Sequence, residues 1–123
     1  MTERQQWHVL VVDDYAAFRE TVREVLAPDG RFMIVGEAAD GREAVAIADQ
    51  TQPDLVLMDM RLPDMTGLTA TETIKARQPH VTVVVLSSDW SAAYERRARA
   101  IGVKARLAKQ NFSLAELCRI LEG

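Results

Sequence analysis

Four apolar runs punctuate the chain: Val9-Leu10-Val11-Val12, Leu55-Val56-Leu57-Met58, Val81-Thr82-Val83-Val84-Val85-Leu86, and a shorter one around Ala105 to Ala108. Runs with no polar alternation suit strands of a sheet covered on both faces. Phe32 to Val35 reads as one more strand. The stretches between them have helical spacing. Phe18, Val22, Val25 and Leu26 share one face, and Pro28-Asp29-Gly30 stops that helix. Asp40-Gly41 opens a second helix carrying Ala44, Val45 and Ala48, which ends before Pro53. Leu68, Thr71 and Ile74 mark a third, stopped by Pro79. Ser91 caps a fourth with Tyr94, Ala98 and Ile101, closed by Gly102. Ser113 and Glu116 match a capping box ahead of the stripe Leu114, Leu117, Cys118 and Leu121.

Strands alternating with helices predict an α/β domain: a five-stranded parallel sheet, doubly wound, with right-handed crossovers and helices on both faces. Ligands of such sheets bind beyond the carboxyl ends of the strands. Asp13 and Asp14 follow one apolar run, Asp59 a second, Ser87 a third and Lys109 the fourth. A carboxylate at the end of a core strand is costly unless a site uses it. These residues therefore share one predicted site. Lys104 is the rival lysine, but it precedes the last strand and belongs to the opposite edge.

Composition narrows the classes. The 123 residues fit one domain, 1–123, with no output domain in the chain, and 48% hydrophobic residues can build a core. A net charge of -3 argues against direct nucleic-acid binding or an anionic membrane surface. No apolar stretch approaches the roughly 20 residues of a membrane span, and no signal peptide opens the chain. A single cysteine, Cys118, makes no internal disulfide, which fits a reducing cytoplasm, and its place on an apolar stripe makes it core. The cluster Arg96, Arg97 and Arg99 reads first as a solvated helix face, and His8, Trp7 and Trp90 carry no functional reading.

Carboxylates held together repel, by on the order of 4 kcal/mol per pair at ~4 Å and an effective dielectric of about 20. A hard cation with oxygen ligands relieves this at neutral pH, and Mg²⁺ suits a site that keeps places for water or phosphate. Lys109 supplies a point charge for a phosphoryl oxygen and Ser87 a hydrogen-bond donor. Phosphoryl transfer needs mainly positioning and charge neutralisation, and an Asp carboxylate can carry the group covalently. Phosphorylation of Asp59 is the chemistry these residues predict.

The set Val11-Val12-Asp13-Asp14, Val56 to Gly67 with Asp59 and Pro63 inside it, Leu86-Ser87-Ser88 and Lys109 resembles a response-regulator receiver domain of the CheY-like family. The resemblance runs from about Val9 to Leu121, and Val35-Gly36-Glu37-Ala38-Ala39-Asp40-Gly41-Arg42-Glu43-Ala44 is similar to its NarL/FixJ-type subclass. It implies the flavodoxin-like strand order 2-1-3-4-5. It also implies that Asp59 accepts phosphate from a histidine kinase or phosphotransfer protein. Asp14 and Asp59 would ligate Mg²⁺ with the Arg61 carbonyl, and Asp13 would help through water. Ser87 and Lys109 would contact the phosphoryl group. The domain would then be a signalling phosphoacceptor rather than an enzyme, with phosphorylation-dependent dimerisation as a family expectation. Members of the subclass usually carry a helix-turn-helix DNA-binding domain after the receiver.

Two positions depart from the family pattern. Arg106 stands where a Tyr or Phe commonly relays phosphorylation to the face of the last strand and last two helices, and a guanidinium resists burial without a partner. Gln110 replaces a common proline after the lysine, so a cis bond there is not expected. Arg61 and Asp89 occupy the positions that flank the hydrolytic water in receivers. Opposite charges there would pair across the opening and tune phosphoryl lifetime. Rival readings fare less well. A haloacid-dehalogenase-type phosphatase needs Asp-x-Asp after the first strand, and an FMN binder needs a phosphate loop there. A receiver-like protein-interaction module that takes no phosphate stays as the alternative, as does a stand-alone receiver acting on a protein target.

Overall fold

The computed structural model describes residues 6–123. The first five positions of the expected 1–123 domain lie outside the described residues. Strands β1 (Trp7–Val12), β2 (Phe32–Ala38), β3 (Leu55–Asp59), β4 (Thr82–Leu86) and β5 (Ala105–Leu107) alternate with helices α1 (Ala16–Leu26), α2 (Gly41–Thr51), α3 (Gly67–Arg77), α4 (Ala92–Ile101) and α5 (Leu114–Glu122). All strand pairings are parallel, in the order β2-β1-β3-β4-β5. The predicted doubly wound architecture is the observed one.

The unbroken apolar runs have the predicted cause. Successive side chains of a strand point to opposite faces, so both sets must be apolar when both faces are covered. Leu10, Val12, Val56, Met58, Val83 and Val85 face α2, α3 and α4 through Ala44, Ala48, Leu68, Ile74 and Ala98. Val9, Val11, Leu55, Leu57, Val84 and Leu86 face α1 and α5 through Val22, Leu26, Leu117 and Ile120. Each such buried side chain stabilises the fold by roughly 1.5–3 kcal/mol relative to exposure.

Helix starts follow the cap residues. Asp40 accepts from the Glu43 N–H, Ser91 from Tyr94 and Ser113 from Glu116. Glu116 turns its carboxylate to Arg119, so the box at α5 is closed on one side only. Gly102 ends α4 at φ 87°, a left-handed turn that glycine adopts without a Cβ clash.

Three boundaries differ from expectation. β2 runs on through Gly36, Glu37 and Ala38, because a register shift between Val9 and Leu10 lets the strand follow β1 to its end. β4 starts one residue later than its apolar run, at Thr82. β5 stops at Leu107, and Lys109–Asn111 forms a short 3-10 turn. No cis peptide bond occurs among the described residues, in keeping with Gln110.

Candidate functional site

Register brings the predicted residues to one edge. Val12 pairs with Met58 and Asp59 with Leu86, while Leu86 pairs with Leu107. The residues following these strand ends therefore converge. One open cavity of about 330 Å³ is lined by Asp14, Asp59, Arg61, Ser87, Asp89 and Lys109, among others. Carboxylate oxygens of Asp13, Asp14 and Asp59 come within 4.8 Å of one another.

Burial sets their electrostatics. Asp13 and Asp59 are buried and Asp14 is exposed. The Lys109 ammonium lies 2.5 Å from Asp13 Oδ2 and 3.3 Å from Asp59 Oδ2. Burial, then the neighbouring Asp13 charge, push Asp59 above the usual carboxylate pKa, and Lys109 offsets this only in part. Burial pulls Lys109 down, yet the Asp13 and Asp59 carboxylates together leave its pKa raised. One lysine thus faces two buried carboxylates. The site is short of positive charge.

Backbone geometry holds these groups in place. The Tyr15 N–H donates to Asp13 Oδ1 at 2.8 Å and the Arg61 N–H to Asp59 Oδ1 at 3.3 Å. Gly67 lets α3 begin against β3: a Cβ there would sit 2.1 Å from the Asp59 carbonyl oxygen. Arg61 and Asp89 form the predicted ion pair, and both side chains are largely exposed at the mouth of the cavity. Arg106 is exposed, with its guanidinium over the Trp90 ring.

Ser87 is buried in the wall, but its hydroxyl is turned to its own loop. It donates to the Asp89 carbonyl at 2.6 Å and accepts from the Asp89 N–H at 3.1 Å. Lys104, the rival lysine, enters β5 from the other edge, where its N–H donates to the Val83 carbonyl. Within the arginine cluster, Arg97 donates to Thr69 and Arg99 pairs with Glu95. Cys118 is half-buried at the edge of the α1/α5 core rather than inside it, with Arg31 donating to its sulfur at 3.3 Å.

Several supporting residues had no readable signal. The Phe18 ring lies 5.0 Å from the Lys109 ammonium and packs edge-on against Phe112. Arg19 donates to the Asp13 carbonyl at 2.5 Å and pairs with Glu37. Asp64 accepts from the Gly41 and Arg42 N–H groups at 2.8 and 3.0 Å, tying the loop after β3 to the start of α2. Ser88 donates to Gln110 at 2.8 Å, joining the loops after β4 and β5. A carboxylate in a loop signals a cap, but not that it caps a helix elsewhere in the chain.

The sequence matches the response regulator receiver domain family over residues 9–122. The chain belongs to that family. This receiver domain is 33% identical over 102 residues to the transcriptional regulatory protein DegU of Brevibacillus brevis, covering 83% of the chain and 43% of that protein. It is 38% identical over 114 residues to PdtaR of Mycobacterium tuberculosis, covering 93% of the chain and 54% of that protein. The chain therefore spans about half the length of these relatives. The receiver domain of a putative NarL response regulator from M. tuberculosis superposes with a TM-score of 0.83 at 28% identity, covering 97% of this chain and 99% of that one. A LuxR-family response regulator from Aurantimonas sp. SI85-9A1 gives a TM-score of 0.85 at 28% identity, covering 95% of this chain and 83% of that one. The receiver is thus a two-component signalling domain with NarL/LuxR-type neighbours. Among its described residues, no helix is long and apolar enough to cross a membrane.

Proposed function

We propose that Asp59 is the phosphoacceptor of this receiver and that Mg²⁺ is its cofactor. The observation that carries this reading is the crowding of the Asp13, Asp14 and Asp59 carboxylates, with one lysine, Lys109, paired to Asp13 and Asp59 and with Asp14, Asp59 and Lys109 lining one cavity. Such an oxygen-only, anion-rich set fits a hard divalent cation, with Asp14, Asp59 and the Arg61 carbonyl as its ligands and Asp13 supporting them through water. When bound, the cation neutralises charge on the incoming phosphoryl group.

An Asp59 carboxylate oxygen attacks the donor phosphorus. A new P–O bond forms as the P–N bond of a phosphohistidine breaks, and its electron pair leaves on the imidazole. Lys109 stays within reach of the Asp59 oxygen and pairs with the added charge. Ser87 releases the Asp89 carbonyl and donates to a phosphoryl oxygen. The Arg61–Asp89 pair spans the mouth and slows attack by water on the aspartyl phosphate.

The partner is then a histidine kinase or phosphotransfer protein in the cytoplasm. The domain works as a signalling phosphoacceptor, acting on no external substrate. Its output is transcription through a helix-turn-helix domain where it forms part of a longer regulator, with phosphorylation-dependent pairing of two copies. Incubation with acetyl phosphate and Mg²⁺ should add the mass of one phosphoryl group, lost in Asp59→Ala. No added mass with either acetyl phosphate or a cognate kinase would leave a protein-interaction module instead.

A further inference from the structure

The loop between β3 and α3 is fastened at its base and at its tip. At the base, the Gly67 N–H donates to the Met60 carbonyl at 2.6 Å, and Arg61 and Thr66 pair antiparallel. Inside that turn, the Leu62 N–H donates to the Met65 carbonyl at 3.2 Å. At the tip, the two Asp64 carboxylate oxygens accept from the Gly41 and Arg42 N–H groups at 2.8 and 3.0 Å. Met65 packs beside them, where a Cβ on Gly41 would clash with it. The start of a helix leaves its first N–H groups without partners inside the helix, and the partial positive charge there favours a carboxylate. In α2 the Asp40 side chain takes the Glu43 N–H, and Asp64 supplies the acceptor for the two N–H groups before it. The cap of α2 is thus shared between its own first residue and a loop from across the sheet edge.

We propose that Asp64 is a positioning residue for the metal site: by binding the first turn of α2, it fixes the direction of the Arg61 carbonyl. This rests on the Mg²⁺ reading above, in which that carbonyl is a ligand. The physical basis is the planarity of the peptide bond. The Arg61 C=O and the Leu62 N–H belong to one peptide unit, trans like every other among the described residues, so they point in opposite directions. Fixing one therefore fixes the other. The Leu62 N–H is aimed at the carbonyl of Met65, the residue that follows Asp64. Releasing Asp64 from α2 frees the loop tip, loosens the Met65 carbonyl and lets the 61–62 peptide turn. A backbone ligand has no rotamer to lock it, so the loop itself must be held. Charge is the weaker explanation, because Asp64 is exposed and water and salt screen it.

Calorimetric Mg²⁺ titration, with amide hydrogen exchange of the metal-free protein, tests this on the intact chain. Asp64→Ala should bind Mg²⁺ roughly tenfold more weakly than the natural protein and exchange faster at the Leu62 amide. Asp64→Asn keeps a side-chain carbonyl acceptor without the charge and should restore most of both. Asp40→Ala removes the other cap of the same helix. It should lower stability while leaving Mg²⁺ affinity and Leu62 exchange near those of the natural protein. Equal affinity in Asp64→Ala and the natural protein overturns the positioning role alone. So does an equal loss in Asp64→Asn and Asp64→Ala, which assigns the effect to charge, or an equal loss in Asp40→Ala, which assigns it to helix stability. No Mg²⁺ binding by the natural protein removes the metal reading and this inference with it.

Discussion

At the amino-terminal edge of the sheet, Asp54 accepts from the His8 N–H at 3.0 Å, and the Lys75 ammonium donates to the Val81 carbonyl at 2.8 Å. Gln78 there donates to the Ala48 carbonyl at 3.0 Å. At the carboxyl-terminal edge, Asp13, Asp14 and Asp59 crowd one another with Lys109 among them. Both edges carry ionic side chains where strands end. At the first edge Asp54 and Lys75 meet backbone partners that satisfy them and tie elements together. At the second, buried charge meets buried like charge, which burial makes more costly. Burial lowers the pKa of Lys75 as it raises that of Asp59, but only Asp59 has a second carboxylate beside it. The contrast separates polar groups that hold the fold together from carboxylates crowded against like charge.

Substitutions at the two edges should therefore part company. Asp14→Asn, at an exposed position, should weaken Mg²⁺ affinity by about tenfold or more while barely moving the unfolding midpoint. Calorimetric titration and urea unfolding read the two effects, and an unchanged affinity would blur the distinction. Asp54→Ala should do the reverse, lowering stability by about 1 kcal/mol with Mg²⁺ affinity intact, because it leaves the His8 N–H without its side-chain acceptor. Arg77→Ala breaks an exposed pair with Asp49 at that same edge and should cost less than about 0.5 kcal/mol in urea unfolding. A larger loss would mean that surface pairs there matter more than the backbone contacts.

Legibility in the sequence followed the same division. The strands ending at Val12, Asp59 and Leu86 could be read because double burial removes alternation, and a parallel topology then sends Asp13, Asp59, Ser87 and Lys109 to one edge. β2 is longer than its apolar run because Gly36 and Glu37 interrupt that run within the strand. They stay in the strand through the register shift and the pairing of Glu37 with Arg19 and Arg23. The Ser87 hydroxyl turned to its own loop, the Phe18–Lys109 contact and the Asp64 tie to α2 depend on how helices rotate and loops fold back. No local spacing encodes those choices.

Burial beside Asp13 makes the ionised Asp59 carboxylate a cost to the metal-free fold, which the proposed cation would offset. Its folded pKa lies above its unfolded value, so protonation favours the folded state: this stability is present at low pH and lost as pH rises through the raised value. At neutral pH the ionised group therefore opposes folding. Urea unfolding of the natural protein and Asp59→Asn, at pH near 7 with and without Mg²⁺, tests this directly. Without the cation Asp59→Asn should be the more stable. With Mg²⁺ at about ten times its dissociation constant, the natural protein should gain about 1.4 kcal/mol and the variant much less. A metal-free Asp59→Asn that is less stable than the natural protein, or equal stabilisation of both by Mg²⁺, would rule out this role for Asp59.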